Sequence, residues 1–152
     1  MAGNIHGRFY KMKVGFTCST FDLLHSGHIM MLREAASVCD YLICGLQTDP
    51  TNDRIGKNKP IQSVVERYTQ LAAVRYVDEI VPYEWEHELE DVLRSYPINI
   101  RIMGEEYRDK SFTGKSFCET NDIELYYNTR KHKFSSTELR DRITSKQLLA
   151  EG

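Results

Sequence analysis

The stretch "CSTFDLLHSGHIMMLREAA", residues 18–36, decides how this chain is read. It joins a strand-like run to a helix-like one, and His25 and His28 flank a Ser-Gly pair at the junction. Ser26 reads as the N-cap, with Gly27 and His28 in the first helical turn. A helix start exposes unpaired N–H groups and about half a unit of positive charge, which favours an anion, most simply phosphate. Gly27 lets a ligand approach the backbone because no Cβ stands in the way. Two imidazoles can donate N–H bonds to phosphate oxygens, and Thr20 and Asp22 add polar groups to the same turn. The helix terminus makes His28 harder to protonate and a bound phosphate does the opposite, a balance the sequence leaves open. Taken alone, the pair reads equally well as two solvated histidines at a helix start.

Outward from this junction, apolar runs alternate in type. "MKVGFTC" (12–18) is a strand, and 28–38 has helical spacing at Ile29, Leu32 and Ala36. "YLICGLQT" (41–48) is a buried strand, followed by a polar loop over 49–60. Ser63 opens a helix with a Ser-x-x-Glu capping box that continues to Arg75. "DEIVP" (78–82) is a short strand, 86–95 a helix, "INIRIMG" (98–104) a strand and "IELYYN" (123–128) a fifth. "SSTELRDRI" (135–143) opens a last helix with a second box, Ser135 to Glu138. Such alternation predicts an α/β chain: a Rossmann-like, doubly wound, five-stranded parallel sheet in a single domain. Ligands in such sheets bind at the carboxyl ends of the strands, near the switch in strand order, and the His25–His28 turn follows the first strand. The domain is expected over 12–145. Residues 1–11 are read as an extension, open to disorder and given no weight in the fold, and 146–152 as a C-terminal tail.

An apolar fraction of 41% supports a real core in 152 residues, and a net charge of −2 excludes disorder driven by charge. The same balance argues against nucleic acid as partner, and "RKHKF" lacks an aromatic platform. No apolar run is long enough to span a bilayer, and no signal peptide with a proper apolar region is read. Cys18, Cys39, Cys44 and Cys118 form no CxxC pair and read as reduced thiols, which places the chain in the cytoplasm. No protein metal cage is expected, and His6, His87 and His132 read as scattered and solvated.

Five segments, "TFDLLHSGHIMML", "DYLICGLQTD", "ERYTQLAAVRYVDEIVP", "RIMGEEY" and "FSSTELR", resemble the HxGH-type nucleotidyltransferases of the cytidylyltransferase-like superfamily. The likeness covers about residues 12–143 and is greatest to the glycerol-3-phosphate cytidylyltransferase family. It implies attack by a substrate phosphate on the α-phosphorus of a nucleoside triphosphate, with release of pyrophosphate and no covalent enzyme intermediate. Transfer of CMP from CTP to a small phosphorylated alcohol, glycerol 3-phosphate first, is the leading expectation. The alternatives are an adenylyltransferase using ATP and a sugar phosphate or other phosphomonoester, and a nucleotide-binding module without turnover. The likeness further implies Mg²⁺ carried by the triphosphate and a homodimer.

By the same resemblance, His25, His28 and Arg75 serve the α-phosphate. Thr20, Phe21, Lys57, Lys59, Arg67, Gly104, Glu105, Arg130, Ser135, Ser136 and Thr137 hold the nucleotide and its phosphates, and Asp22 and Trp85 the acceptor. Read without it, Lys57 and Lys59 are a solvated basic turn, Arg67 and Arg75 surface arginines, and Ser135–Thr137 an ordinary cap. The chain departs from the family pattern in three places. Ser19 stands where glycine is usual, and its side chain must tuck away or touch the ligand. Glu105 replaces an aspartate. Lys131-His132-Lys133 replaces Thr-Glu-Gly, which turns an acidic, flexible segment basic. The segment 107–119 is longer and more polar than the glycerol-phosphate pattern and is a candidate cover for the acceptor.

Overall fold

The structure is a computed structural model that describes residues 4–5, 8–9, 11–129 and 131–152. Five parallel strands form one sheet: β3 (Val14–Ser19), β4 (Tyr41–Gln47), β5 (Glu79–Tyr83), β6 (Ile100–Gly104) and β7 (Glu124–Asn128). Their spatial order is β5-β4-β3-β6-β7. The chain winds from β3 outward to one edge, returns, and continues from β6 to the other edge. The switch in strand order therefore lies between β3 and β6, the crevice where such sheets take ligands.

Helices cover both faces, because strands buried on both sides are apolar throughout. In β4 every residue from Leu42 to Gln47 is buried. On one face Leu42, Cys44, Leu46, Ile100 and Ile102 pack with Leu32 and Ala35 of α1 (Ser26–Ser37) and Leu71 of α2 (Val64–Ala72). On the other, Phe16 and Ile43 pack with Leu89, Val92 and Leu93 of α3 (Glu88–Ser95) and Cys118 of α4 (Lys115–Thr120). A last helix, α5 (Ser136–Glu151), continues through the residues read as a tail. No helix among the described residues is long and apolar enough to cross a membrane.

The Ser63 capping box forms in full: Glu66 N–H donates to Ser63 Oγ at 3.2 Å, and Ser63 N–H to Glu66 Oε2 at 2.7 Å. Other features differ from the sequence reading. Helix α2 ends at Ala72, short of the expected Arg75. The N-cap of α1 is His25 rather than Ser26. Helix α4 lies in what reads as an irregular cover, launched from Gly114 at φ +84°, a backbone angle that favours glycine. Within residues 1–11, β1 (Asn4–Ile5) and β2 (Arg8–Phe9) pair as a short antiparallel ribbon.

Candidate active site

A cavity of about 1190 Å³ opens at the carboxyl ends of the strands, lined by Thr20, His25, Gly27, His28, Ser135 and Ser136 among others. Its floor is the turn between β3 and α1. Phe21 and Leu23 hold φ of +50° and +51°, which non-glycine residues rarely adopt. Ser19 Oγ accepts the Phe21 N–H at 3.5 Å, so the hydroxyl at the usual glycine position tucks into the turn.

The two histidines bond to the turn itself. Gly27 N–H donates to His25 Nδ1 at 3.0 Å, and His25 N–H donates to His28 Nδ1 at 3.3 Å. A ring nitrogen that accepts a hydrogen bond carries no hydrogen, so both imidazoles hold theirs on Nε2. The ring centroids are 4.0 Å apart at 35°. Burial, then the neighbouring His25, push the His28 pKa down to about 4, against an opposing pull from Asp22. His28 is thus a neutral N–H donor at neutral pH.

Asp22 is the hub of the site. Its buried carboxylate accepts the Ile61 and Gln62 N–H groups at 2.9 and 3.0 Å and pairs with Arg140 at 3.0 Å. Ser136 Oγ donates to the Asp22 carbonyl at 3.3 Å. These contacts bring the start of α2 and the start of α5 to the histidine turn. Ser135, Ser136, Lys57, Gly104 and Glu105 accordingly line the same cavity. At Gly104 an added Cβ would strike the Glu106 carboxylate that folds over it.

Other expected residues lie against protein or off the cavity wall. Arg67 is 2% exposed, and its guanidinium is spent on backbone. Nη1 donates to the Thr20 and Gln47 carbonyls at 2.9 and 2.6 Å, Nη2 to Thr48 at 2.6 Å and Nε to Gln62 at 3.1 Å. It clamps the ends of β3 and β4 in place of a phosphate. Arg75 is exposed beyond the far end of α2, over the Tyr76 ring at 5.7 Å, and is not on the cavity wall. The Phe21 side chain is 1% exposed and belongs to the core, its ring 5.7 Å from that of His28, which it supports. Lys59, Thr137 and Trp85 are exposed and also off the cavity wall. Asp22, expected at the acceptor, has its carboxylate engaged by protein. Arg130 and His6 lie outside the described residues.

The cytidylyltransferase-like family model matches residues 16–142. This chain belongs to that family. It is a nucleotidyltransferase, whose reaction transfers a nucleotidyl group from a nucleoside triphosphate to a phosphorylated substrate and releases pyrophosphate. A glycerol-3-phosphate cytidylyltransferase of Bacillus subtilis (strain 168) is 35% identical over 133 residues, covering 87% of this chain and 98% of that one. A protein of the same name from Staphylococcus aureus is 32% identical over 89% of this chain and 98% of its own. The bifunctional protein HldE of Caulobacter sp. (strain K31) is 36% identical over 76% of this chain, which spans only 22% of that protein. Among solved structures, a lipopolysaccharide core biosynthesis protein from Thermoplasma volcanium GSS1 superposes with a TM-score of 0.66 at 21% identity, over 80% of this chain and all of that one, and shares the fold.

In this cytidylyltransferase-like chain the cavity also holds residues that sequence patterns do not single out. Arg101, 4% exposed on β6, donates to the Thr113 carbonyl, and its guanidinium lies 5.0 Å from the Phe112 ring. Asn128, 5% exposed at the end of β7, has neither carboxamide atom hydrogen-bonded. His132, read as solvated, lines the cavity and stacks on Phe134 at 5.6 Å and 23°. An arginine or asparagine inside an apolar strand pattern was the available signal for the first two. His132 had none, because its position depends on how α5 docks.

Proposed function

We propose that the chain transfers CMP from CTP to a small phosphorylated alcohol, glycerol 3-phosphate first, releasing pyrophosphate. The observation that carries this is the pair of Nε2–H donors at a helix N-terminus, on the wall of a cavity shared with the serine-rich start of α5. An oxygen of the acceptor phosphate attacks the α-phosphorus. The bond to the bridging oxygen breaks, and pyrophosphate leaves with the electron pair. Negative charge builds on the α-phosphate oxygens as this happens, and the His25 and His28 N–H groups offset it from fixed positions. Ser135, Ser136 and the first N–H groups of α5 take the β- and γ-phosphates, and Lys57 reaches them from the 49–60 loop. Sequence similarity to two glycerol-3-phosphate cytidylyltransferases, each covered almost end to end, supports glycerol 3-phosphate and CTP.

Mg²⁺, where it accompanies the nucleotide, would supply positive charge against the phosphates. Among the described residues no three His, Cys, Asp or Glu side chains form a metal site, and the Asp22 carboxylate is engaged. A homodimer and a cytoplasmic location are carried as part of this reading on family analogy and reduced cysteines.

A second reading, ATP with a sugar phosphate, is favoured by the size of the cavity. It exceeds the roughly 300–1,000 Å³ of a typical small-molecule site, and Lys131 and His132 make its rim more basic. Pyrophosphate release across four nucleoside triphosphates, each with a panel of phosphomonoesters, separates the two. CTP with glycerol 3-phosphate is the expected best pair, and ATP preference hands the assignment to the alternative. His28→Ala is expected to lower kcat by about 10²–10³ with the fold intact. Retained activity in that variant sinks the mechanism, and no release with any pair leaves a nucleotide-binding module.

A further inference from the structure

The three residues that replace the family's Thr-Glu-Gly bring a further imidazole to the histidine pair. A Cβ added at Gly27 would lie 2.8 Å from His25 Cε1 and 2.9 Å from His132 Cε1, so both rings close on one glycine. The His25 and His28 centroids are 4.0 Å apart on the same turn. Stacking on Phe134 fixes the plane of His132. Its Nδ1 is sealed from solvent with no hydrogen-bond partner. A stranded N–H is costlier than a bare lone pair, so this burial favours an N–H on Nε2, the position that donates in His25 and His28.

We propose that His132 is a third imidazole donor to the polyphosphate, placed on the leaving pyrophosphate rather than on the acceptor. This rests on the nucleotidyltransferase reading of the cavity. Its placement follows from the chain. His132 stands three residues before Ser135, the N-cap of α5, and the first turn of that helix takes the β- and γ-phosphates in the reading above. Lys131, beside it on the cavity wall, adds a cation to the same rim. The site thus approaches the nucleotide from two directions. His25 and His28 come from the turn after β3, and His132 from the segment that leads into α5. A donor held on the departing group stabilises the charge that develops as the bond breaks.

The test contrasts shape with chemistry. His132→Phe keeps an aromatic ring to stack on Phe134 but has no N–H. His132→Gln keeps an N–H donor but cannot stack. Binding of inorganic pyrophosphate is measured by calorimetry, with KM for nucleotide, KM for acceptor and kcat beside it. His132→Phe is expected to weaken pyrophosphate binding about tenfold or more and to raise nucleotide KM, with acceptor KM within about twofold; His132→Gln should restore part of the loss. If His132→Phe does not fold, His132→Gln against His132→Ala gives the same contrast. The reverse order, with the Phe variant near wild type and the Gln variant impaired, overturns the proposal. So does a rise confined to acceptor KM, or a wild-type protein that does not bind pyrophosphate. Pyrophosphate binding that depends on His132 without turnover on any nucleotide supports the donor role and sinks the catalytic reading alone.

Discussion

Asp22 and Arg140 meet at 3.0 Å, 118 residues apart in sequence, and their contact joins the histidine turn to the last helix. The carboxylate is 7% exposed and the guanidinium 31%, so solvent screens the pair only in part. Arg140→Ala leaves Asp22 with its two backbone donors but without its paired guanidinium. It should destabilise the fold by about 1–3 kcal/mol. It should also raise nucleotide KM more than it lowers kcat, because Ser135 and Ser136 lose their docking to the turn. Urea unfolding and steady-state kinetics on the same preparation check both. An unchanged KM would mean that α5 holds its place without the pair.

Arg67 answers to stability before catalysis. Its guanidinium satisfies the carbonyls of Thr20, Gln47, Thr48 and Gln62 at once. Arg67→Met strands all four and should cost about 3–5 kcal/mol, the range for breaking a buried charged network. For a chain of this length that is a fall in Tm of roughly 6–20 °C. Thermal unfolding without nucleotide reads this directly. A variant with wild-type Tm but much weaker nucleotide binding would restore Arg67 as a phosphate ligand.

His28 ties stability to pH with a definite sign. Its pKa is about 4 in the folded protein, against about 6.5 in an unfolded chain. Between those values the unfolded chain binds the extra proton, so stability is full above about pH 6.5 and is lost as pH falls toward 4. His28→Asn should lack this slope, so the gap between the two proteins narrows or reverses on acidification. Urea midpoints at pH 7, 6 and 5 give the comparison, and parallel curves would refute the shifted pKa. A bound triphosphate acts the other way, so nucleotide binding near pH 5 should take up protons, which calorimetry in buffers of different ionisation enthalpy detects.

Asn128 is buried with an unpaired donor and an unpaired acceptor. Leaving such groups unmade costs about 1–3 kcal/mol, whereas an apolar residue of similar shape carries no such debt. Asn128→Leu should therefore stabilise the nucleotide-free protein by about 1 kcal/mol or more in urea. A loss of stability would mean that the amide has a partner in solution.

What could be read in the sequence follows from what is local. The strands and the α2 cap were legible because apolar alternation and Ser63–Glu66 act within a few residues. The histidine turn was legible for the same reason, although its cap moved by one residue to His25. Long-range pairing decided the rest. Arg67 and Arg75 read as one helical stripe, yet α2 ends at Ala72, short of Arg75, so one arginine became a clamp and the other solvent-facing. His132 looked solvated because nothing nearby in sequence shows that Gly27 is its neighbour. Helix α4 is six residues long and follows a left-handed glycine, too short for a periodic pattern to declare itself.

The Asp22 junction bears on how the protein is made. The histidine turn is synthesised before the residue that completes its carboxylate's shell, which belongs to α5, 118 residues later. A chain cut before α5 therefore carries both imidazoles without the hollow that would grip a nucleotide. Ligand affinity is in this sense a report on one long-range contact, acquired only when α5 has docked.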